Sequence, residues 1–179
     1  TGTNAAKITI DGTGGASDAQ NEGVYLNAAG TLVTSKDGAI SITGIGRGTG
    51  SFSRGVLING GAQVTSTGTG TDAAKITVMG TGGDGVQSNR GVEFAGSANS
   101  KFISVDGNIS VTGVGGDGSN VDNAGVYMTA GGIESTGTGP TAATITVIGT
   151  GGPGTGVDIG VRLDGSNVKL TTKDGKLTI

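Results

Sequence analysis

No cysteine and no histidine occur anywhere in the chain. The first absence excludes disulfides and thiolate-held metals. The second removes the commonest general base and the commonest zinc ligand. Tryptophan is also missing, and aromatic residues make up only 3% of the sequence, so any core must be aliphatic. With two prolines and no Gly-X-Y period, a collagen helix is excluded. The formal net charge is −3 and no basic patch stands out, which disfavours a nucleic-acid partner. No apolar run approaches the ~20 residues of a membrane span, so membrane insertion is not expected. No initiator methionine and no apolar leader open the sequence.

What the chain has in abundance is glycine, 40 of 179 residues. That is about three times the usual share. Regularly spaced Ile and Val argue against disorder. They belong to a repeated stretch: ITIDGTGG at 8–15, ISITGIGR at 40–47, ITVMGTGG at 76–83, ISVTGVGG at 109–116 and ITVIGTGG at 145–152, with LTI closing at 177–179. Internal repetition outranks other signals in reading a fold.

Within this stretch alternate residues are aliphatic: Ile8 and Ile10, Ile40 and Ile42, Ile76 and Val78, Ile109 and Val111, Ile145 and Val147. Thr or Ser lies between each pair. Such alternation predicts a strand with one buried face, and these ten residues are the expected core ladder. A second segment follows a glycine: GVYL at 23–26, GVLI at 55–58, GVEF at 91–94, GVYM at 125–128 and GVRL at 160–163. Its Tyr25, Leu57, Glu93, Tyr127 and Arg162 are expected to face solvent. A third segment predicts Val33, Val64, Phe102, Ile133 and Leu170 as inward residues.

The first aliphatic residues of successive units are 32, 36, 33, 36 and 32 positions apart. Two kinds of turn alternate after the third segment. One is a short Asp-Gly turn, at 36–38, 105–107 and 173–175. The other is a longer Gly-Thr run, at 67–74 and 136–143. Two units therefore form a higher repeat of 68 or 69 residues.

A unit with three strands cannot bury its apolar face alone, but it can when stacked on its like. The expected fold is all-β, a parallel β-helix (β-solenoid) of about five coils of roughly 34 residues, with three short strands per coil. Coils start near 7, 39, 75, 108 and 144, and a partial last coil covers 176–179. Residues 1–179 form one solenoid segment, expected to belong to a longer repeat array. Glycine at the corners is expected to supply backbone conformations that other residues resist. Asp-Gly between alternating strands also allows hairpins, hence a meander or sandwich. The long Gly-Thr turns of alternate units disfavour that reading.

The pattern ITVxGTGG…GVxL…VTSTG resembles the repeats of large bacterial exported proteins, the filamentous-haemagglutinin-like adhesins and autotransporter passengers. The resemblance covers essentially the whole chain. It implies a right-handed coil and an elongated, non-catalytic protein outside the cell or on its surface.

A loop of nearly constant length and drifting composition precedes the second segment. It carries most of the charge: Asp18, Glu22, Arg54, Asp84, Arg90, Asp117, Asp122 and Asp158 are the candidate ligand-display residues. No acid/base pair recurs in neighbouring units, so no catalytic residue is assigned. GTGG runs are followed by a loop and strand, not by the helix a phosphate cradle needs. GGDGSNVD at 115–122 resembles a calcium nonapeptide, but the other units lack its acidic ligands, so no cofactor or metal is assigned. The function expected is a structural fibre or adhesin segment that stacks end to end on copies or further repeats of itself. Surface glycans are a second candidate partner. The rival readings are a carbohydrate-binding or carbohydrate-degrading module and, less favoured, an ice-binding Thr face. The column Asp11, Thr43, Met79, Thr112, Ile148 interrupts the threonine array that last reading wants.

Overall fold

A computed structural model describes residues 5–120 and 122–179. Among these residues there is no helix, and every strand pairing is parallel. The chain is a β-solenoid, and the hairpin alternative is excluded by the strand direction. Each coil contributes one strand to each of three sheets.

The first sheet stacks β1 (Ile8–Thr13), β4 (Ile40–Ile45), β7 (Ile76–Thr81), β10 (Ile109–Val114), β13 (Ile145–Thr150) and β16 (Leu177–Thr178), in that order. The second stacks β2 (Val24–Leu26), β5 (Val56–Ile58), β8 (Val92–Phe94), β11 (Val126–Met128) and β14 (Val161–Leu163). The third stacks β3 (Leu32–Ser35), β6 (Gln63–Ser66), β9 (Lys101–Ser104), β12 (Gly131–Ser135) and β15 (Val168–Thr172). Each strand finds its partner one coil away because side-chain alternation leaves one register that keeps every aliphatic group inside.

Like stacks on like. Ile8 pairs with Ile40, Ile40 with Ile76, Ile76 with Ile109, and Ile109 with Ile145. Ile10, Ile42, Val78, Val111 and Val147 form the parallel row beside them. From Ile40 to Val147 these ladder residues are essentially free of solvent. Val64, Phe102 and Ile133 face the same interior from the third sheet, and Phe94 meets Phe102 edge-on at 4.7 Å. Ile8 and Ile10 pack against this core but are only partly buried, because β1 lies at the edge of its sheet.

The glycines serve two different needs. The corner between the first and second sheets carries Gly12, Gly44, Gly80, Gly113 and Gly149, none of them left-handed. A Cβ on Gly80 would lie 2.1 Å from the carbonyl oxygen of Gly91, the glycine that opens β8. Its equivalents show the same approach at 1.9–2.0 Å. These corners need glycine for space rather than for φ. Left-handed glycines occur between the second and third sheets, at Gly30, Gly60, Gly61, Gly96 and Gly131, and in the long turns, at Gly70 and Gly139; in the variable loops non-glycine residues take this backbone at Gln20, Phe52, Ser88 and Asp122, each three positions before a strand-opening glycine.

Candidate functional site

In the first four variable loops the left-handed residue precedes two side chains that point opposite ways, and the fifth loop reaches the same arrangement without one. The residue two positions before the strand-opening glycine points in. These are Asn21, Ser53, Asn89, Asn123 and Asp158, and they stack. The Ser53 amide donates to Asn89 Oδ1 at 3.0 Å, the Asn89 amide to Asn123 Oδ1 at 3.1 Å, and the Asn123 amide to Asp158 Oδ1 at 2.8 Å. Their carbonyls accept from the next coil as well: Ser53 from Gly83, Asn89 from Gly116, and Asn123 from Gly152, at 2.7–2.8 Å. Buried backbone groups must be paired. This inner ladder pairs them and fixes the loop length while composition drifts outside.

The residue one position before the glycine points out, over the second sheet. Here lie Glu22, Arg54 and Arg90. Arg54 Nη1 reaches Glu22 Oε1 at 2.9 Å, and Arg54 Nε bonds Glu93 Oε2. Arg90 joins Glu93 Oε1 at 2.9 Å and also bonds Asp122. Asp122 then accepts from Arg162 at 3.0 Å, and Arg162 from its other nitrogen reaches Asp164 at 2.6 Å. Four carboxylates and three guanidinium groups thus alternate in one chain across all five coils. Arginine suits this because its planar fork holds two carboxylates at once.

The expectation of a solvent-facing column on the second sheet is therefore corrected. Its residues do point away from the core, but Leu57, Glu93 and Tyr127 are buried. The loop arginines Arg54 and Arg90 both bond Glu93. Arg90 stands 4.1 Å and Arg162 5.1 Å from the Tyr127 ring centre, both within cation–π range. Burial pushes the Tyr127 phenol above its ordinary value, against the opposing pull of Arg162 and Arg90. The hydrogen bond to Asp164 raises the Arg162 guanidinium in turn.

Of the eight candidate display residues, the structure gathers Glu22, Arg54, Arg90 and Asp122 into this chain. Asp158 instead turns into the inner ladder, where its Oδ2 is buried without a partner. Asp18, Asp84 and Asp117 are exposed. Asp84 lines a shallow groove with Arg47, Ile45 and Thr81. The calcium reading of Asp117 and Asp122 meets a specific obstacle, because both oxygens of Asp122 already accept from arginine.

At the first three coils the chain borders an open groove of about 350 Å³. Tyr25 is 50% exposed there, whereas Tyr127 in the equivalent strand position is only 8% exposed. Phe52 carries Arg54 5.0 Å from its ring centre, and Asn59 Nδ2 donates to the Tyr25 hydroxyl at 3.2 Å.

Sequence reading missed the asparagine ladder, Asp164, and the burial of the outer column. The ladder had a signal, visible only when the loops are counted back from their closing glycine. Compared with protein-family models, curated proteins and solved structures, the chain finds no match.

Proposed function

We propose that the chain is a structural, non-catalytic segment of a bacterial cell-surface or extracellular fibre or adhesin. It extends by stacking further coils of its own kind at its open ends. The observation that carries this reading is the uninterrupted parallel ladder. Successive coils bury each other's aliphatic residues completely, while among the described residues β1 and β16 have a strand partner on one side only. An open strand edge is a template for another strand. The next coil fits because the half-covered Ile8 and Ile10 match the residues they already stack on. The arginine-bound carboxylates support a non-catalytic role, since none of Glu22, Glu93 or Asp122 is left to act as a free acid or base.

The test is sedimentation and electron microscopy of the purified chain beside Ile10→Lys, together with a tandem of two copies. Concentration-dependent rods, lost in Ile10→Lys, are expected. The tandem should melt higher than the single copy, since each added coil adds an interface. A chain that stays monomeric at all concentrations, with a tandem no more stable than one copy, would sink the reading.

The groove at Tyr25 favours carbohydrate binding as the second reading. An exposed ring beside amides and a carboxylate suits the apolar face and hydroxyls of a sugar. Quenching of tyrosine fluorescence by cellohexaose, abolished in Tyr25→Ala, is the expected result. No saturable response to that sugar would remove the reading.

A further inference from the structure

The three outer faces of the solenoid differ sharply in chemistry. The second sheet presents the ion-pair chain, and the third presents Lys101, Glu134 and Lys169. The first sheet alone is nearly free of charge. Its strands run three residues beyond the aliphatic ladder, to Thr13, Ile45, Thr81, Val114 and Thr150, so each full coil shows three outward positions. The pairing aligns them in rows. The first is Thr9, Ser41, Thr77, Ser110, Thr146; the second Asp11, Thr43, Met79, Thr112, Ile148; the third Thr13, Ile45, Thr81, Val114, Thr150.

Ten of these fifteen positions carry a hydroxyl, and Asp11 alone is charged. The pattern alternates by coil. Odd coils place Thr in the first and third rows. Even coils place Ser and Thr in the first and second rows and a β-branched aliphatic residue in the third. The interruptions in the second row therefore fall between two threonines of the same strand. Met79 and Ile148 are 52% and 53% exposed. Lys7 and Lys75 lie just outside the strands, at one margin of the face.

We propose that this face binds the surface of ice. A regular face of hydroxyls with the exposed apolar side chains of Ile45, Met79, Val114 and Ile148 set between them suits a regular occupant. The one that fits has a two-dimensional period, not a particular shape. Rows repeat about 4.8 Å apart across strands and about 6.6 Å along them, both fixed by a rigid backbone ladder. These periods lie near those of oxygen layers in hexagonal ice. Hydroxyls continue the lattice as donors and acceptors. Methyl groups of Thr, Ile and Val fill the gaps between them and release water on contact. Charges would hold hydration shells that fit no lattice, and this face carries only one, Asp11 on the edge strand β1. The proposal stands apart from end-to-end stacking, which uses the strand edges and leaves this face open.

The experiment measures ice recrystallisation and thermal hysteresis in dilute solution of the whole chain. Three proteins are compared: the native chain, Thr77→Lys on the middle strand of the face, and Gln63→Lys on the third sheet. Circular dichroism melts check that all three fold alike, and Thr146→Lys replaces Thr77→Lys should that one unfold. The native chain and Gln63→Lys are expected to arrest recrystallisation. The face variant should need at least tenfold more protein. No arrest by the native chain overturns the proposal, as does equal arrest by the face variant. So does a native dimer that Thr77→Lys converts to monomer, because a second copy would then cover the face.

Discussion

Replacing Gly80 by alanine tests the corner geometry on which every coil depends. The new methyl would sit 2.1 Å from Gly91 O and 2.8 Å from Val92 Cγ2. An ordinary C···O contact is about 3.3 Å, so backbone must move by about 1.2 Å. Gly91 O is not free to move, because it accepts the Val56 amide of the preceding coil at 2.9 Å. Overpacking alone costs about 1–3 kcal/mol. Stranding the buried Val56 amide adds about 1–3 kcal/mol. The expected loss is therefore about 2–6 kcal/mol. Gly139→Ala is the control. Nothing lies within 4 Å of its would-be Cβ, but its φ is +82°. That change should cost only about 1–2 kcal/mol, from left-handed strain. Denaturant unfolding compares the two, and hydrogen exchange at the Val56 amide reports the local break, since a solenoid need not unfold in one step. If Gly80→Ala lies within about 1 kcal/mol of the native chain, or is milder than Gly139→Ala, the steric account of the corner is wrong.

Arg90→Ala removes the middle link of the ion-pair chain, where the Arg90 and Glu93 side chains are 8% and 5% exposed. Denaturant titration should show a loss of about 3 kcal/mol, the low end for a broken buried pair because Glu93 keeps Arg54. Arg90→Lys should recover less than half of it, since an ammonium cannot fork between Glu93 and Asp122. Tyr127 makes stability pH-dependent in a definite direction. Its folded value is raised above 10.0, so the folded chain holds this proton more tightly than the unfolded chain. The stabilisation is complete below that pH and is lost as pH rises through the folded value. In a Tyr25→Phe background, ultraviolet titration of the remaining phenol should give a midpoint above 10.0 in the folded state. Asp106→Ala should cost about 1–3 kcal/mol in thermal or denaturant melts, because Oδ2 accepts the Gly70 amide at 2.6 Å and the Thr141 hydroxyl at 3.2 Å.

The interior of the solenoid was legible because one physical demand dominates there. Ile40, Ile42, Ile76 and Val78 must avoid water, and a period of two admits one solution. Residue type and position then agree down to the register. The outer face obeys no single demand. Leu57 and Glu93 occupy the same column, and type alone cannot say that an arginine from the preceding loop covers the second of them. The loops hid their ladder for a related reason. Asn89 and Asn123 are held by backbone amides one coil away, so their partners are main-chain atoms that leave no mark in composition. Glycine at the corners was visible, but its cause was not. A left-handed residue and a crowded one both read as glycine, and here Gly80 is crowded while Gly70 and Gly139 carry a positive φ.

The alternation of long and short turns follows from the same distinction between inside and outside. Nothing in the core requires it, because Ile stacks on Ile whichever turn follows. The requirement arises at the turn itself. A Gly-Thr run leaves amides such as Gly70 and Gly139 projecting with no strand to receive them. Asp106 receives the first, and Asp174 receives the second at 2.8 Å. Each acceptor belongs to the short turn of the following coil. Two long turns in succession would leave an amide without a carboxylate, and two short ones would leave a carboxylate without its donors. The smallest piece that satisfies its own turns is therefore a pair of coils. An array built by copying would be expected to lengthen two coils at a time, as the 68- and 69-residue spacings do.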